Sequence, residues 1–547
     1  MATTPTTGQF GYERLRSGPL VSVLIATFNR PRYLAEAIAS VVRQSYRNIE
    51  IIVVNDGGQD VSDVVGSFND DRLVFINRKE NHGKAFSLNE ALARAGGKYV
   101  AYLDDDDLYY PNHVEVLVNA LEGQTDCQAA YSDLYKAHCN VMPDGTRVVL
   151  SKIVEITRDF DRFFMLYFNH VLHVSLVHRR DLIEKTGLYN ERLNILIDWD
   201  MTRRLVFFTD FCHVHTITGE FYGPIGECDR ISVQRRKDKS EYLRNVLAIR
   251  TTRPAKPWPK LEDLSIILIL DRLDAGAART IGSIWRSTFY PYKLYLPLPP
   301  TDVARLNTDM PNAILIPVNP MFCEAEKLDV ALRAAEGEYV AVVAGNIVAK
   351  DMWVENPLYA LMNSPTGYEG FEMDCVEGLR WGAVVRKAEL AYARRSFMNL
   401  PVPESLQAAG IRLRRPRHEE LPFQFDDLIR GARLAEGEGN WAQAAKLYRY
   451  ISEHHRNGLW MKSLAARALY RAGDHQAAGR FCQEVNQQQP TVETLLLEAK
   501  IDRKSDRFAQ AITLLTEAEQ ILAGQTPDSH NDRSCQSVFT ADRPSHT

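Results

Sequence analysis

From residue 20 to residue 103 the chain alternates short apolar, β-branched runs with segments in which apolar residues recur at helical spacing. Residues 21–26, 49–54, 73–77 and 99–103 are nearly continuous in apolar side chains, which is what strands covered on both faces require. Between them, Leu34, Ala37, Ile38, Val41 and Val42 fall at i, i+3, i+4, i+7 and i+8. Leu88, Leu92 and Ala95 repeat the stripe, so these segments predict helices with one face to bury. The alternation predicts a parallel sheet with crossover helices, an α/β fold.

A second region, starting near Ser265, echoes the first. Ser22-Val23-Leu24-Ile25 aligns with Ser265-Ile266-Ile267-Leu268, and Ile38-Ala39-Ser40-Val41 with Ile281-Gly282-Ser283-Ile284, both at an offset of 243 residues. Gly97-Lys98-Tyr99-Val100-Ala101 aligns with Gly337-Glu338-Tyr339-Val340-Ala341 at an offset of 240. The shared spacing favours a duplicated α/β domain over chance likeness. After a basic, Pro-interrupted stretch at 412–417 the chain becomes rich in Ala, Leu, Glu and Gln. Gly439 and Gly473 are 34 apart, and Ala444, Ala478 and Ala511 follow at steps of 34 and 33, with Trp441, His475 and Phe508 nearby. This period resembles tetratricopeptide repeats, all-α helical pairs that stack into a concave surface for a partner. The expected organisation is a flexible N-terminus (1–18), a first α/β domain (19–250), a second (260–410), a helical repeat domain (425–523) and a disordered polar tail (524–547).

Composition narrows the class. The chain of 547 residues is 45% hydrophobic and 25% charged, ordinary for a globular protein of several domains. A net charge of -5 without a long basic tract argues against nucleic acid as a partner. The eight cysteines are scattered, with no Cys-x-x-Cys pair, so neither a zinc ribbon nor a disulfide framework is expected and a reducing compartment fits. No secretory or membrane-spanning run is visible, which predicts a cytoplasmic protein, soluble or peripheral on the inner face of a membrane.

Candidate chemistry gathers at strand ends. The run 99–103 leads into four aspartates, Asp104, Asp105, Asp106 and Asp107. Carboxylates clustered at the carboxyl end of a sheet strand can hold a divalent metal that also binds a diphosphate. The plainer reading is an acidic turn capping a helix that starts near Pro111. Upstream, Asp56-Gly57-Gly58 ends the second strand, and Asn81-His82-Gly83-Lys84 opens a helix whose free N–H groups suit phosphate oxygens. In the second region, Ala344, Gly345 and Asn346 stand where Asp104, Asp105 and Asp106 would fall, and Met321-Phe322-Cys323-Glu324 replaces the Lys84 loop. That copy lacks the carboxylates for a metal.

Taken in order, residues 20–239 resemble the inverting family 2 glycosyltransferases of the GT-A fold. The motifs are Val23 to Arg30, Gln44-Ser45-Tyr46, the Asp56 turn, the Lys84 loop, the aspartate cluster, and a later segment through His178-Arg179-Arg180, Gly187, Glu191-Arg192-Leu193 and Ile197-Asp198-Trp199-Asp200. The resemblance implies that Thr27, Asn29 and Arg30 lie in a nucleotide-contacting turn and that Asp56 meets a uracil or thymine ring. It implies further that Asn81, Gly83 and Lys84 face the donor, that Asp104 contacts ribose or metal beside Asp105, and that Asp106 is a metal ligand. Arg230, with Arg235, Arg236 and Lys237, falls where relatives close a loop over the donor; a solvated basic loop is the competing reading. Asp198 matches the catalytic base. Its usual acidic neighbour is Ile197 here, which leaves the tuning of the base open, and Asp200 is the rival.

The implied reaction is a metal-dependent transfer, with Mn2+ or Mg2+, from a UDP- or dTDP-linked sugar to a glycan, lipid-linked glycan or protein hydroxyl. The second domain is then a degenerate GT-A-like copy and the repeats dock a partner. Two alternatives stay open, a sugar nucleotidyltransferase and a non-catalytic glycan- or protein-binding scaffold. His213 and His215 share a strand face but lack a third ligand in the sequence, so they read as structural. The aromatic stretch from Phe163 to Phe168 reads as core, with an acceptor or lipid contact as the other possibility.

Overall fold

The computed structural model describes residues 18–123, 126–154, 158–225, 238–306, 312–364, 367–373, 377–454 and 458–523. They form two compact units, one of residues 18–135 and 158–430, the other of 136–154 and 431–523. The first unit contains both α/β regions.

The first sheet is built from β1 (Val21–Thr27), β2 (Ile49–Asn55), β3 (Leu73–Asn77), β4 (Tyr99–Tyr102), β5 (Leu108–Tyr109), β6 (Cys127–Val141), β7 (Arg147–Val154), β8 (Leu176–Arg179) and β9 (Asp210–Pro224). Its order is β3-β2-β1-β4-β8-β6-β9-β5, with β7 paired to β6. β1 runs parallel to β2 and β4, β2 runs parallel to β3, and β8 is antiparallel to β4. The four expected strands thus form within a residue or so of their expected ends. Alternation along β1 sends Val23 and Ile25 to one face with Leu34, Ile38 and Val41, and Leu24 to the other with Leu88 and Leu92. The helical stripes Pro31–Val42 and Lys84–Arg94 therefore cover opposite faces, which is why the strand is apolar throughout.

The second sheet comprises β10 (Leu264–Ile269), β11 (Tyr292–Leu298), β12 (Ala313–Pro317), β13 (Tyr339–Ala344), β14 (Glu369–Glu372), β15 (Trp381–Arg386) and β16 (Arg412–Arg414), in the order β12-β11-β10-β13-β15-β14-β16. Its first four positions repeat those of the first sheet. Helix Glu324–Ala334 corresponds end to end with Lys84–Arg94 at the 240-residue offset. Individual hydrogen bonds recur as well. Gly97 N donates to Ser22 Oγ at 2.9 Å and Gly337 N to Ser265 Oγ at 3.1 Å. Tyr109 N donates to Ser40 Oγ at 3.2 Å and Ala349 N to Ser283 Oγ at 2.9 Å. The two α/β regions are joined by the buried Arg203, which donates to the backbone oxygens of Arg250, Thr252 and Phe289, each at 3.0 Å.

The second unit holds the hairpin residues 136–154 and helices Trp441–His454, Gly458–Arg471, His475–Gln488, Val492–Lys504 and Phe508–Leu522. Lys152, almost wholly buried, donates to Ile521 O at 3.1 Å. The turns before helices Trp441–His454, His475–Gln488 and Phe508–Leu522 each carry a positive φ, 74° at Gly439, 92° at Gly473 and 58° at Asp506. Ala444, Ala478 and Ala511 follow them and are buried, which lets neighbouring helices approach closely. Among the described residues no helix is long and apolar enough to cross a membrane.

Candidate active site

The parallel order β3-β2-β1-β4 brings the carboxyl ends of these strands to one edge, where open α/β sheets place ligands. Four turns meet there: residues 28–30 after β1, 56–59 after β2, 80–83 before helix Lys84–Arg94, and 103–107 after β4.

The first two turns lock together. Asn29 adopts a left-handed conformation (φ 58°), and its Oδ1 accepts from Gln59 N at 2.7 Å. Asp56, nearly buried, accepts from Arg78 Nη1 at 3.0 Å, His82 N at 3.0 Å and Gly83 N at 2.8 Å. It therefore ties the β2 turn to the loop that opens the next helix. Asn81 is exposed on that loop, and Gly83 takes a φ of 93°. Lys84, the first helical residue, reaches Asp104 with Nζ 2.5 Å from Oδ1.

The four aspartates point in different directions. Asp105 turns inward, where Thr27 Oγ1 donates to it at 2.8 Å and Arg30 Nη1 at 3.2 Å. Burial, and next the charge of Asp106, push its pKa up to about 6 against the pull of Arg30 and Thr27. Arg30 Nη1 also pairs with Asp106 at 2.9 Å. Asp104, Asp106 and Asp107 present carboxylate oxygens that all lie within 4.8 Å of one another. Asp107 is fixed by Tyr222 N, which donates to Oδ1 at 3.1 Å. Three hard oxygen donors at this spacing fit Mg2+ or Mn2+. Arg30 and Lys84 already bring positive charge to the same carboxylates, so an ion bound there would compete with Lys84 for Asp104.

Asp198 is the second residue of helix Ile197–Leu205. Burial raises its pKa, Lys84 opposes this, and Asp104 adds to it, so all three charges share one region. Asn169 Nδ2 donates to Asp198 Oδ2 at 3.0 Å. The rival, Asp200, is engaged elsewhere: it lies buried against Arg204, with Oδ2 2.7 Å from Nη2. Below the site, His173 stacks on Tyr102 and its Nε2 lies 2.7 Å from the Tyr189 hydroxyl; burial pushes its pKa down to about 3, so the ring is neutral. Helix Arg162–Tyr167 buries Phe163, Met165 and Leu166 as core and leaves Phe168 exposed.

The structure thus gathers Thr27, Arg30, Lys84, Asp104, Asp105 and Asp106 around one turn, with Asn29, Asp56 and Gly83 holding the turns beside it. Arg230, Arg235, Arg236 and Lys237 lie outside the described residues. Sequence reasoning missed Asn169 and Arg78, and placed Asp107 in the aspartate run without assigning it as a metal ligand. Asp107 had a signal, as the fourth member of the run; Asn169 and Arg78 had none, because their partners lie 29 and 22 residues away. At the matching edge of the second sheet, Arg380 pairs with Asp271 and Glu324, each at 2.5 Å, and Arg380 N donates to Ala344 O at 3.0 Å. That end is occupied by the chain itself.

Residues 22–180 match the family model described as glycosyl transferase family 2. An uncharacterized glycosyltransferase of Rickettsia prowazekii is 34% identical over 192 residues, covering 34% of this chain and 57% of that protein. An uncharacterized glycosyltransferase of Haemophilus influenzae is 29% identical over 186 residues, covering 32% and 54%. The chain spans little more than half the length of these relatives. A solved structure of S. aureus TarS 1-349 in complex with UDP-GlcNAc overlaps 43% of this chain and 68% of that one at 17% identity, with a TM-score of 0.35. The chain carries an N-terminal α/β domain like that of family 2 glycosyltransferases, followed by a second α/β region and a helical region.

Proposed function

We propose that the chain is an inverting glycosyltransferase that moves a sugar from a nucleoside diphosphate, UDP or dTDP, to a hydroxyl on a glycan, lipid-linked glycan or protein. The observation that carries this reading is geometric: Asp104, Asp106 and Asp107 bring carboxylate oxygens within 4.8 Å of one another, with Lys84 Nζ 2.5 Å from Asp104 Oδ1. Asp104, Asp106 and Asp107 would hold a divalent Mn2+ or Mg2+, which when bound neutralises charge on the diphosphate. Thr27, Asn29, Arg30, Asp56, Asn81, Gly83, Lys84 and Asp105 form the donor side, and Arg230 joins them from outside the described residues. Lys84 positions the diphosphate, Asp198 takes the acceptor proton as its oxygen attacks, and Asn169 aims Asp198. General-base assistance of this kind contributes about 10²–10⁴-fold.

The second α/β region reads as a degenerate GT-A-like copy whose ligand edge is filled by Arg380. The repeating turns at Gly439, Gly473 and Asp506 support tetratricopeptide-like stacking and a docking role for a protein or acceptor. A cytoplasmic location, with peripheral contact to a membrane, accords with donor and acceptor of these classes.

A screen of sugar nucleotides against the full chain tests the reading. Release of a free nucleoside diphosphate that requires manganese or magnesium, and is lost in Asp106→Ala, is expected. Formation of a sugar nucleotide and pyrophosphate from a nucleoside triphosphate and a sugar 1-phosphate would indicate a nucleotidyltransferase, and inertness with every donor a scaffold.

A further inference from the structure

A second cluster of metal-binding side chains lies in the same unit, apart from the aspartate turn. His213 and His215 stand two residues apart on β9 and so share a face. The sequence offers no third ligand nearby; the fold supplies two. Asp159, just ahead of helix Arg162–Tyr167, places Oδ1 at 3.1 Å from His213 Nδ1 and at 2.8 Å from His215 Nε2. Asp133, on β6, places Oδ1 at 2.9 Å from the opposite nitrogen of His213, Nε2. Tyr131 stacks flat on the His213 ring, with centroids 4.5 Å apart and planes at 5°.

From this geometry we propose that His213, His215 and Asp159 form an accessory site for a first-row transition cation such as zinc, with Asp133 as the outer carboxylate that orients His213. Two imidazoles and one carboxylate are a common zinc donor set, and Asp159 Oδ1, at 3.1 and 2.8 Å from the two imidazole nitrogens, stands near the ~3.3 Å that separates ligand atoms around an ion at ~2.0–2.1 Å. A histidine ligand ordinarily donates its far N–H to a carboxylate, which fixes the tautomer and leaves the other nitrogen for the metal. Asp133 is placed for that task. His213 and Asp133 are buried, with side chains 3% and 9% exposed, while Asp159 at 33% and His215 at 45% keep an open side for entry and for a water ligand. A bound ion would pin the segment after residue 158 to β9, ahead of the helix that leads to Asn169. The proposal does not depend on the transferase reading.

The test is zinc titration of the full-length protein after stripping with EDTA, read by calorimetry and by competition with a chromophoric chelator. One tight equivalent is expected in the wild type, weakened ~10–100-fold or more in His215→Ala and in Asp159→Asn. Asp133→Asn should weaken it less, and Asp106→Asn should leave that equivalent in place. Both main variants alter partly exposed side chains, and thermal melting close to that of the wild type is expected of them. X-ray absorption should report two imidazole ligands. No stoichiometric zinc in the wild type, or equal affinity in His215→Ala and Asp159→Asn, overturns the site.

Discussion

Asn169 donates to Asp198 Oδ2 at 3.0 Å, while its own Oδ1 accepts from Val171 N at 3.2 Å and Thr202 Oγ1 at 3.4 Å. The amide is thereby held in one orientation. Ile197, the residue before Asp198, is buried and apolar, so support for the carboxylate comes from a neutral donor. A donor to the anion lowers its pKa and counteracts burial. Asn169→Ala should therefore raise the pKa of Asp198 further, moving the acidic limb of the transfer rate to higher pH. At neutral pH the rate should fall roughly tenfold or more, the scale of a hydrogen bond to a charged group (~1.5–3 kcal/mol), with donor KM little changed. A pH–rate profile with an unmoved acidic limb would remove Asn169 from this role.

The two aspartates of helix Ile197–Leu205 should separate cleanly by mutation. Asp200 pairs with Arg204, whose Nη1 also donates to Thr186 O at 2.6 Å and Gly187 O at 3.0 Å, and both side chains are buried. Asp200→Asn leaves that guanidinium without its counter-charge, a loss of about 3–5 kcal/mol in denaturant unfolding. Asp198→Asn removes a carboxylate that burial already disfavours, so folding should be unimpaired while transfer drops ~10²–10⁴-fold. Folded, inactive Asp200→Asn beside active Asp198→Asn would reverse the assignment.

These differences explain what the sequence could and could not disclose. Strand ends were legible because β1, β2 and β4 are buried on both faces and their apolar runs stop where burial stops. The copy was legible because Ser22 with Gly97, and Ser265 with Gly337, close the same hydrogen bond and so recur at fixed offsets. Apolar periodicity reports which face a residue buries, but it does not report which distant residue it meets. Hence Asn169 beside Asp198, Arg30 on Asp105 and Asp106, and the two carboxylates around His213 emerged only once the sheet was assembled. The hairpin 136–154 likewise reads as part of the first domain in sequence, although it clusters with the helical unit.

A divalent ion at the aspartate turn would compete with Lys84 for Asp104. The Nζ–Oδ1 distance is 2.5 Å; desolvation lowers the Lys84 pKa, but Asp104, together with Asp198 and Asp106, holds it above its ordinary value. Lys84→Met should free Asp104 and tighten Mn2+ binding without donor, severalfold by the Coulomb scale of a partly exposed pair. The same variant should bind the nucleotide sugar more weakly, since the diphosphate loses its cation. Manganese relaxation and donor titration read the two effects, and both moving in one direction would contradict the competition.

Asp105 predicts a pH dependence of stability. Its pKa, pushed up to about 6 by burial and Asp106, lies above the ~3.9 of an unfolded aspartate. The folded protein thus binds this proton more tightly than the unfolded chain, so the contribution is fully present below about pH 4 and is lost as pH rises through about 6. The scale is about 1–3 kcal/mol. Asp105→Asn keeps an acceptor for Thr27 but cannot titrate, and with EDTA present its melting temperature should fall less than that of the wild type between pH 4 and pH 7. Parallel curves would place the titration elsewhere.

Gly57 packs the β2 turn against residues 80–81, and its replacement separates strain from steric displacement. Its φ is 72°, and a Cβ there would stand 2.2 Å from Glu80 C and 2.5 Å from Asn81 N. Gly57→Ala must push residues 80–81 away, and with them the His82 and Gly83 amides that Asp56 holds and Lys84 beyond. Gly83 has a similar left-handed φ of 93°, but a Cβ there meets nothing within 4 Å. Both variants should destabilise the fold by ~1–3 kcal/mol through backbone strain. Only Gly57→Ala should also lose most of its donor affinity, because only there does the loop move. Chemical denaturation and donor titration of the pair decide the matter: equal loss of affinity would mean that strain alone, and not the contact with Glu80, governs the site.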